Sequence, residues 1–302
     1  MKILITGGGG LLGQYLNIEL STNNDILSLY HHNIGNCKDF KNIKTDITDS
    51  SQLEKIFTGF SPDIVIHNAA VSNPQKAVKL DTKIVYDINV NSTKKIAELC
   101  NEYKAKLIYT STDLVYAGYR GSMLKEDAKL IPISFYAETK LMGEVKIQQT
   151  FDNYLILRVA LLYGFGLNHS INHFAEMYDS FKSNKKVKLF FDQFRTPISL
   201  NEVSRVIGKL CTIDLKNEII NTGGKERVSR AELGELLCDA AGFDKSLIEK
   251  ISMNEFWETS RLSGKDIPMV ADVSMNIDKL QSYGIKLKSI EESIKEILNV
   301  EL

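Results

Sequence analysis

Residues 6–13 read Thr-Gly-Gly-Gly-Gly-Leu-Leu-Gly and directly follow the apolar run Ile3-Leu4-Ile5. A short buried strand therefore runs into a glycine turn and then into a helix carrying Leu11, Leu12, Tyr15, Leu16 and Leu20. Gly7, Gly10 and Gly13 keep the spacing Gly-x-x-Gly-x-x-Gly. Glycine supplies positive φ and the absence of a Cβ, so the backbone can approach a pyrophosphate, and the helix N-terminus behind the turn favours negative charge. Strand, turn and helix stand in the order that a dinucleotide-binding fingerprint requires. A plain tight connection is the other meaning of the same glycines.

Apolar runs of strand length alternate with helical patterns through the first half. Residues 26–30, 43–46, 63–67, 106–110 and 154–159 read as strands. Helices are expected over 81–103, with Ile84, Ile88, Ile96 and Leu99 on the apolar face, and over 135–149. This alternation predicts an α/β chain built on a doubly wound parallel sheet, whose ligands bind beyond the carboxyl ends of the strands. After Gly164 the rhythm loosens into helices over 171–182 and 202–211 and strands over 187–191 and 219–222. Ser229 with Glu232 and Ser289 with Glu292 have capping-box spacing, each ahead of a helix. We expect a nucleotide-binding domain over 1–163 and a smaller α/β region over 164–302 packed on it, with some later segments returning to the sheet.

The 302 residues carry a formal charge of -1, without the basic excess of a nucleic-acid binder. Cys37, Cys100, Cys211 and Cys238 are scattered and read as reduced, buried thiols. No His/Cys cluster has metal-ligand spacing, so no metal is expected. No apolar run approaches membrane-spanning length, and a strand starting at Lys2 leaves no room for a signal peptide. The expectation is a soluble cytoplasmic protein.

Tyr136 and Lys140 are the strongest candidates for chemistry. A separation of four residues puts both on one helix face. An ammonium beside a phenol favours the phenolate, which would let Tyr136 exchange a proton with a substrate oxygen near neutral pH. Tyr178 and Lys182 share the spacing and read as helix surface. Context separates the pairs: Tyr136 follows the run Tyr109-Thr110-Ser111-Thr112-Asp113 at the end of the fifth strand, where a doubly wound fold keeps its site.

These segments, with Asn68-Ala69-Ala70 and Asn89-Val90-Asn91-Ser92-Thr93, resemble the extended short-chain dehydrogenase/reductases in order and spacing. Within them the chain is most similar to the dTDP-4-dehydrorhamnose reductase group, through Ser111-Thr112-Asp113-Leu114-Val115-Tyr116, Tyr136-Ala137-Glu138-Thr139-Lys140 and Ser274-Met275-Asn276-Ile277-Asp278-Lys279-Leu280. The resemblance implies a Rossmann-type fold and an NAD(P)H-dependent reductase of a 4-keto-6-deoxy nucleotide sugar. It implies that Gly7, Gly10, Leu11 and Leu12 meet the cofactor pyrophosphate, that Asp46 and Ile47 hold the adenine, and that Asn68, Ala69 and Ala70 form the cofactor wall. Thr112 would bind the substrate carbonyl with Asp113 beside it. Tyr136 would be the general acid, Lys140 would bind the nicotinamide ribose, and Asn89 would sit behind Lys140 on a proton path.

Cofactor choice and substrate are read from smaller differences. The end of the second strand, Tyr30-His31-His32-Asn33, has no carboxylate to select NAD, and His31 could meet a 2'-phosphate, so NADPH is preferred with NADH tolerated. The related 4,6-dehydratases carry Asp-Glu where this chain has Asp113-Leu114, so elimination of water lacks half its acid/base equipment. Val71-Ser72-Asn73-Pro74 and Val159-Ala160-Leu161 depart from the group, which has Ala-Tyr-Thr-type residues in the first place and a tryptophan three residues after Arg158. Arg195 could reach a diphosphate or form a structural salt bridge, and Arg227, Arg230 and Arg261 are open in the same way. The alternatives are a non-catalytic NADP-binding regulatory subunit of the methionine adenosyltransferase type and a nucleotide-sugar epimerase. A homodimer is a further open expectation.

Overall fold

Ile3 and Ile5 of β1 (Lys2–Thr6) point to one face and Leu4 to the other, and all three are fully buried. A strand apolar on both faces belongs inside a parallel sheet covered by helices on both sides. The computed structural model describes residues 1–119, 121–262 and 270–301 and bears this out. After β1 come α1 (Leu11–Ser21), β2 (Asp25–Tyr30), β3 (Asn42–Lys44), α2 (Ser50–Phe60), β4 (Ile64–His67), α3 (Pro74–Lys79) and α4 (Thr82–Tyr86). A π-helical turn, Asp87–Asn91, leads into α5 (Ser92–Tyr103), followed by β5 (Lys106–Thr112), α6 (Phe135–Thr150), β6 (Tyr154–Val159) and β7 (Leu162–Tyr163). The second half holds α7 (His173–Lys182), β8 (Val187–Phe190), β9 (Phe194–Arg195), β10 (Ile198–Ser199), α8 (Leu200–Thr212), β11 (Glu218–Thr222), β12 (Val228–Ser229) and α9 (Arg230–Ala241).

The central sheet has seven parallel strands in the order β11-β6-β5-β4-β1-β2-β3. The order reverses between β1 and β4, so the crevice at their carboxyl ends is the place for a ligand. The seventh strand, β11, comes from the stretch expected to be the smaller region. One side of the sheet packs on α1 and α8 through Leu12, Leu16, Val203 and Ile207, the other on α2 and α5 through Leu53, Phe57, Ile96 and Leu99. A third core, with Phe174, Phe181, Leu189 and Leu237, unites α7, β8 and α9. All four cysteines are free and buried. No helix among the described residues is long and apolar enough to cross a membrane.

The helix expected over 81–103 differs in one respect. Ile84 is 49% exposed, although Ile96 and Leu99 are buried. The π turn at Asp87–Asn91 inserts an extra residue per turn, so the faces before and after it are no longer in register.

Candidate active site

The glycine turn is wedged between β2 and the loop after β4. The Gly8 amide donates to Leu29 O (2.8 Å) and the Gly10 amide to Gly7 O (3.0 Å). Gly7 has φ +69°, and a Cβ there would lie 2.8 Å from Ala69 Cα. A Cβ on Gly13 would lie 2.2 Å from Gly7 O, so the helix can start this close only without one. No side chain caps α1 at Gly10, which leaves the first amides of the helix, beginning at Leu11 and Leu12, to an outside acceptor. Uncapped amides over a side-chain-free turn fit a pyrophosphate.

Thr6 fixes the wall opposite. Its Oγ1 accepts from the amides of Asn68 and Ala69, both at 3.1 Å, and lies 2.8 Å from His67 Nδ1. The His67 Nε2 is 2.9 Å from Thr93 Oγ1, which donates to Asn89 O. Because the Thr93 hydroxyl gives its proton to Asn89, it accepts from Nε2–H, and Thr6 donates to Nδ1. Burial, with the Lys140 charge second, pushes His67 down to about 3, so the ring is neutral. Asn68 Oδ1 accepts from Thr110, and half-buried Ala70 follows.

His31 is half exposed at the end of β2, with Nε2 3.8 Å from Asp46 Oδ2. The carboxylate missing from residues 30–33 is thus present through space, supplied by the loop after β3. Asp46 Oδ1 accepts from the Thr48 amide (2.9 Å) and hydroxyl (2.7 Å), and the amide bond above all holds the carboxyl below its ordinary value. Ile47 beside it is half-buried.

Thr112 closes β5, two residues beyond the expected end at Thr110, and its Oγ1 donates to Asp113 Oδ1 (3.2 Å) while accepting from the Leu114 amide (3.3 Å). Ser134 caps α6 through the Ala137 amide (3.2 Å), which sets Tyr136 in the first turn. Tyr136 is 8% and Lys140 2% exposed. Their electrostatics differ from the spacing argument. Burial raises the Tyr136 phenol above its ordinary value, the Thr112 hydroxyl opposes this, and Asp113 adds to it. Lys140 is pushed down to about 7, again by burial, and lies 4.0 Å from the centre of the Tyr109 ring. Where the spacing predicts a phenol lowered by Lys140, burial dominates both groups and leaves the phenol raised. The result is a protonated phenol, the form that donates.

Asn89 lies in the π turn packed against α6. Its side chain accepts from the Val71 amide (2.8 Å) and donates to Val71 O (3.3 Å) and Thr139 Oγ1 (3.0 Å). These bonds pin the loop after β4.

Several site groups are long-range partners that spacing did not reveal. Glu144, one turn beyond Lys140, accepts from Ser111 Oγ and from Arg158, whose Nη2 lies 2.8 Å away. Arg158 also donates to Tyr116 Oη (2.9 Å), which donates to Asn221 Oδ1 (2.7 Å). Both members of the ion pair are 1% exposed, so this is a buried frame beneath Thr112 and Lys140. Glu144 on the Tyr136–Lys140 face was the available clue. Arg195 is buried with Nε 3.5 Å from Asp113 Oδ2. Arg227 pairs with Asp272 at 2.7 Å, and the Arg261 side chain lies outside the described residues. Tyr178 is an aromatic packing residue, edge-on to Phe165 and Phe243.

The sequence matches the RmlD substrate binding domain family over residues 1–301. It is 24% identical over 308 residues to a dTDP-4-dehydrorhamnose reductase of Aggregatibacter actinomycetemcomitans, covering 98% of each chain. It is 26% identical over 294 residues to methionine adenosyltransferase 2 subunit beta of Pongo abelii, covering 94% of this chain and 83% of that one. Among solved structures, a dTDP-4-dehydrorhamnose reductase from Bacillus anthracis in complex with NADP superposes with a TM-score of 0.84 at 24% identity, covering 100% of this chain and 99% of that one.

Proposed function

The chain belongs to the RmlD substrate binding domain family, and from that premise we propose that it is an NADPH-dependent reductase of a 4-keto-6-deoxy sugar carried on a nucleoside diphosphate. The observation that carries the reading is the buried pairing of Tyr136 with Thr112 at the carboxyl end of β5, at the same edge of the sheet as the glycine turn that follows β1. The NADP-bound relative supports the cofactor.

The cofactor supplies a hydride when bound. The carbonyl oxygen gains negative charge as its carbon is reduced, and two hydroxyls meet that charge. Thr112 turns its hydrogen bond from Asp113 to the oxygen and Tyr136 delivers the proton, which its raised pKa keeps in place until the oxygen becomes basic enough to take it. Lys140 holds the ribose and, with an ionisation near 7, can return a proton towards Tyr136. Asn68, Ala69 and Ala70 form the wall, with the loop beyond them pinned by Asn89. Asp46 and Ile47 hold the adenine, and His31 meets the 2'-phosphate. Arg195 reaches the substrate diphosphate.

The similarity to methionine adenosyltransferase 2 subunit beta favours a second reading, a cofactor-binding subunit of another enzyme. The test is NADPH oxidation with a panel of 4-keto nucleotide sugars. Turnover that falls at least ~100-fold in Tyr136→Phe, the low end for a lost general acid, supports the reductase. NADPH binding without turnover on any of them supports the subunit.

A further inference from the structure

Two buried amides interrupt the apolar character of the helix behind the glycine turn. Leu12, Leu16 and Leu20 of α1 join the sheet core, but Gln14 and Asn17, three residues apart and so on one face, are also 0% exposed. A buried side-chain amide is costly unless its polar atoms are paired. Gln14 has two donors and two acceptor sites and uses all four. Its Nε2 donates to Leu167 O and to Ser170 Oγ, both at 3.0 Å, and its Oε1 accepts from the Asn36 amide (3.1 Å) and from Asn168 Nδ2 (2.6 Å).

These partners come from two loops far apart in the chain. The first is residues 31–36, which leave β2. Its middle lies against the glycine turn, where a Cβ on Gly9 would sit 2.0 Å from Asn33 O. Its end is held by α1: Asn36 Nδ2 donates to Gln14 O (2.8 Å), and Asn36 Oδ1 accepts from Asn17, which also donates to Gly8 O (3.1 Å). Gly35, at φ +52°, packs so closely that a Cβ there would come within 2.6 Å of Gln14 Oε1. The second is residues 164–172, between β7 and α7. This loop is closed on itself by the Ser170 amide to Leu167 O (3.1 Å) and by Asn172 Nδ2 to Gly164 O (2.8 Å). Tyr15 donates to Phe165 O (2.7 Å), and the Phe165 ring stands edge-on to Phe174 and Tyr178 of α7. Gln14 thus joins the loop after β2 to a loop of the second half.

Resting on the cofactor half of the reductase reading, we propose that Gln14 is a positioning residue for cofactor choice: it seats residues 31–36 where His31 meets the 2'-phosphate of NADPH, and the loop over 164–172 holds Gln14 in turn. NADH carries no 2'-phosphate, so displacement of residues 31–36 weakens NADPH selectively. Asn168, an exposed residue of the second half, acts on cofactor choice through the same amide.

The test is fluorescence titration of the whole protein with NADPH and with NADH, read as the ratio of the two affinities. Gln14→Met keeps the length of the side chain and removes its bonds. NADPH affinity falls about 10- to 100-fold, as the loss of a hydrogen bond to a charged group does, and NADH affinity holds. Asn168→Gly keeps the φ of +53° and removes the side-chain amide. It lowers the ratio by a smaller factor and adds nothing to it in the Gln14→Met background. Both variants also unfold at lower urea, a loss that does not by itself change the ratio. The positioning role is overturned if Gln14→Met weakens both cofactors equally, or if Asn168→Gly keeps the wild-type ratio; the second variant decides alone where the first does not fold. A ratio lowered in His31→Ala but kept in the other two variants overturns the role of Gln14 alone. A wild type that binds NADH as tightly as NADPH overturns both. A ratio lowered as expected in a protein that turns over no 4-keto nucleotide sugar overturns the reductase alone.

Discussion

Gly7→Ala probes the cofactor end of the site. A Cβ at position 7 would sit 2.8 Å from Ala69 Cα and 2.9 Å from Ala69 N, contacts with backbone that no rotamer can relieve. The φ of +69° adds a second penalty. The left-handed region costs a residue with a Cβ about 1–2 kcal/mol, and forcing packed atoms apart costs about 1–3 kcal/mol. The sum is about 2–5 kcal/mol of stability. The same displacement moves Ala69 out of the wall, so NADPH affinity falls at least about tenfold, which ~1.4 kcal/mol of lost contact already produces. Urea unfolding and a fluorescence titration with NADPH measure the two effects. Gly59→Ala in α2 is the control, because nothing lies within 4 Å of its Cβ; it gains about 0.5–1 kcal/mol. A Gly7→Ala protein that unfolds at the wild-type urea concentration and binds NADPH equally well would show that the turn does not need a bare backbone at position 7.

Glu144→Gln leaves Arg158 with an uncompensated charge in a site where both partners are 1% exposed. Urea unfolding should register a loss of about 3–5 kcal/mol, and Glu144→Leu with Arg158→Met should recover most of it. His67 gives a pH signature. Its pKa falls from 6.5 to about 3 on folding, so between those values the unfolded chain binds a proton that the folded chain does not. Stability is full above pH 6.5 and declines as pH drops towards 3. Urea midpoints at stepped pH should show this slope flattened in His67→Gln.

Local features of the fold were legible from the chain. The glycine spacing, the strand runs and the Tyr136–Lys140 face depend on neighbours within a few residues. Capping at Ser229 followed from one spacing and recurs as a full capping box. What escaped was tertiary. The π turn at Asp87–Asn91 has no sequence mark, and it turned Ile84 outward. The low pKa of Lys140 comes from burial, which a separation of four residues does not report. Asp46 reaches His31 from the next strand's loop, and Asp113 meets Arg195 across 82 residues (195 minus 113). Glu144 and Arg158 likewise become a pair only when α6 and β6 are packed.

The proposed reaction delivers a hydride to a carbonyl carbon under Tyr136. Incubation with NADPH deuterated on the transferring face of C4 and a 4-keto-6-deoxy nucleotide sugar, followed by mass spectrometry and NMR of the product, tests it most directly. One deuterium should appear at sugar C4 for each NADP+ formed, with the rate collapsing in Tyr136→Phe. Product without deuterium, or cofactor that binds and is never oxidised by any of the sugars, would contradict it.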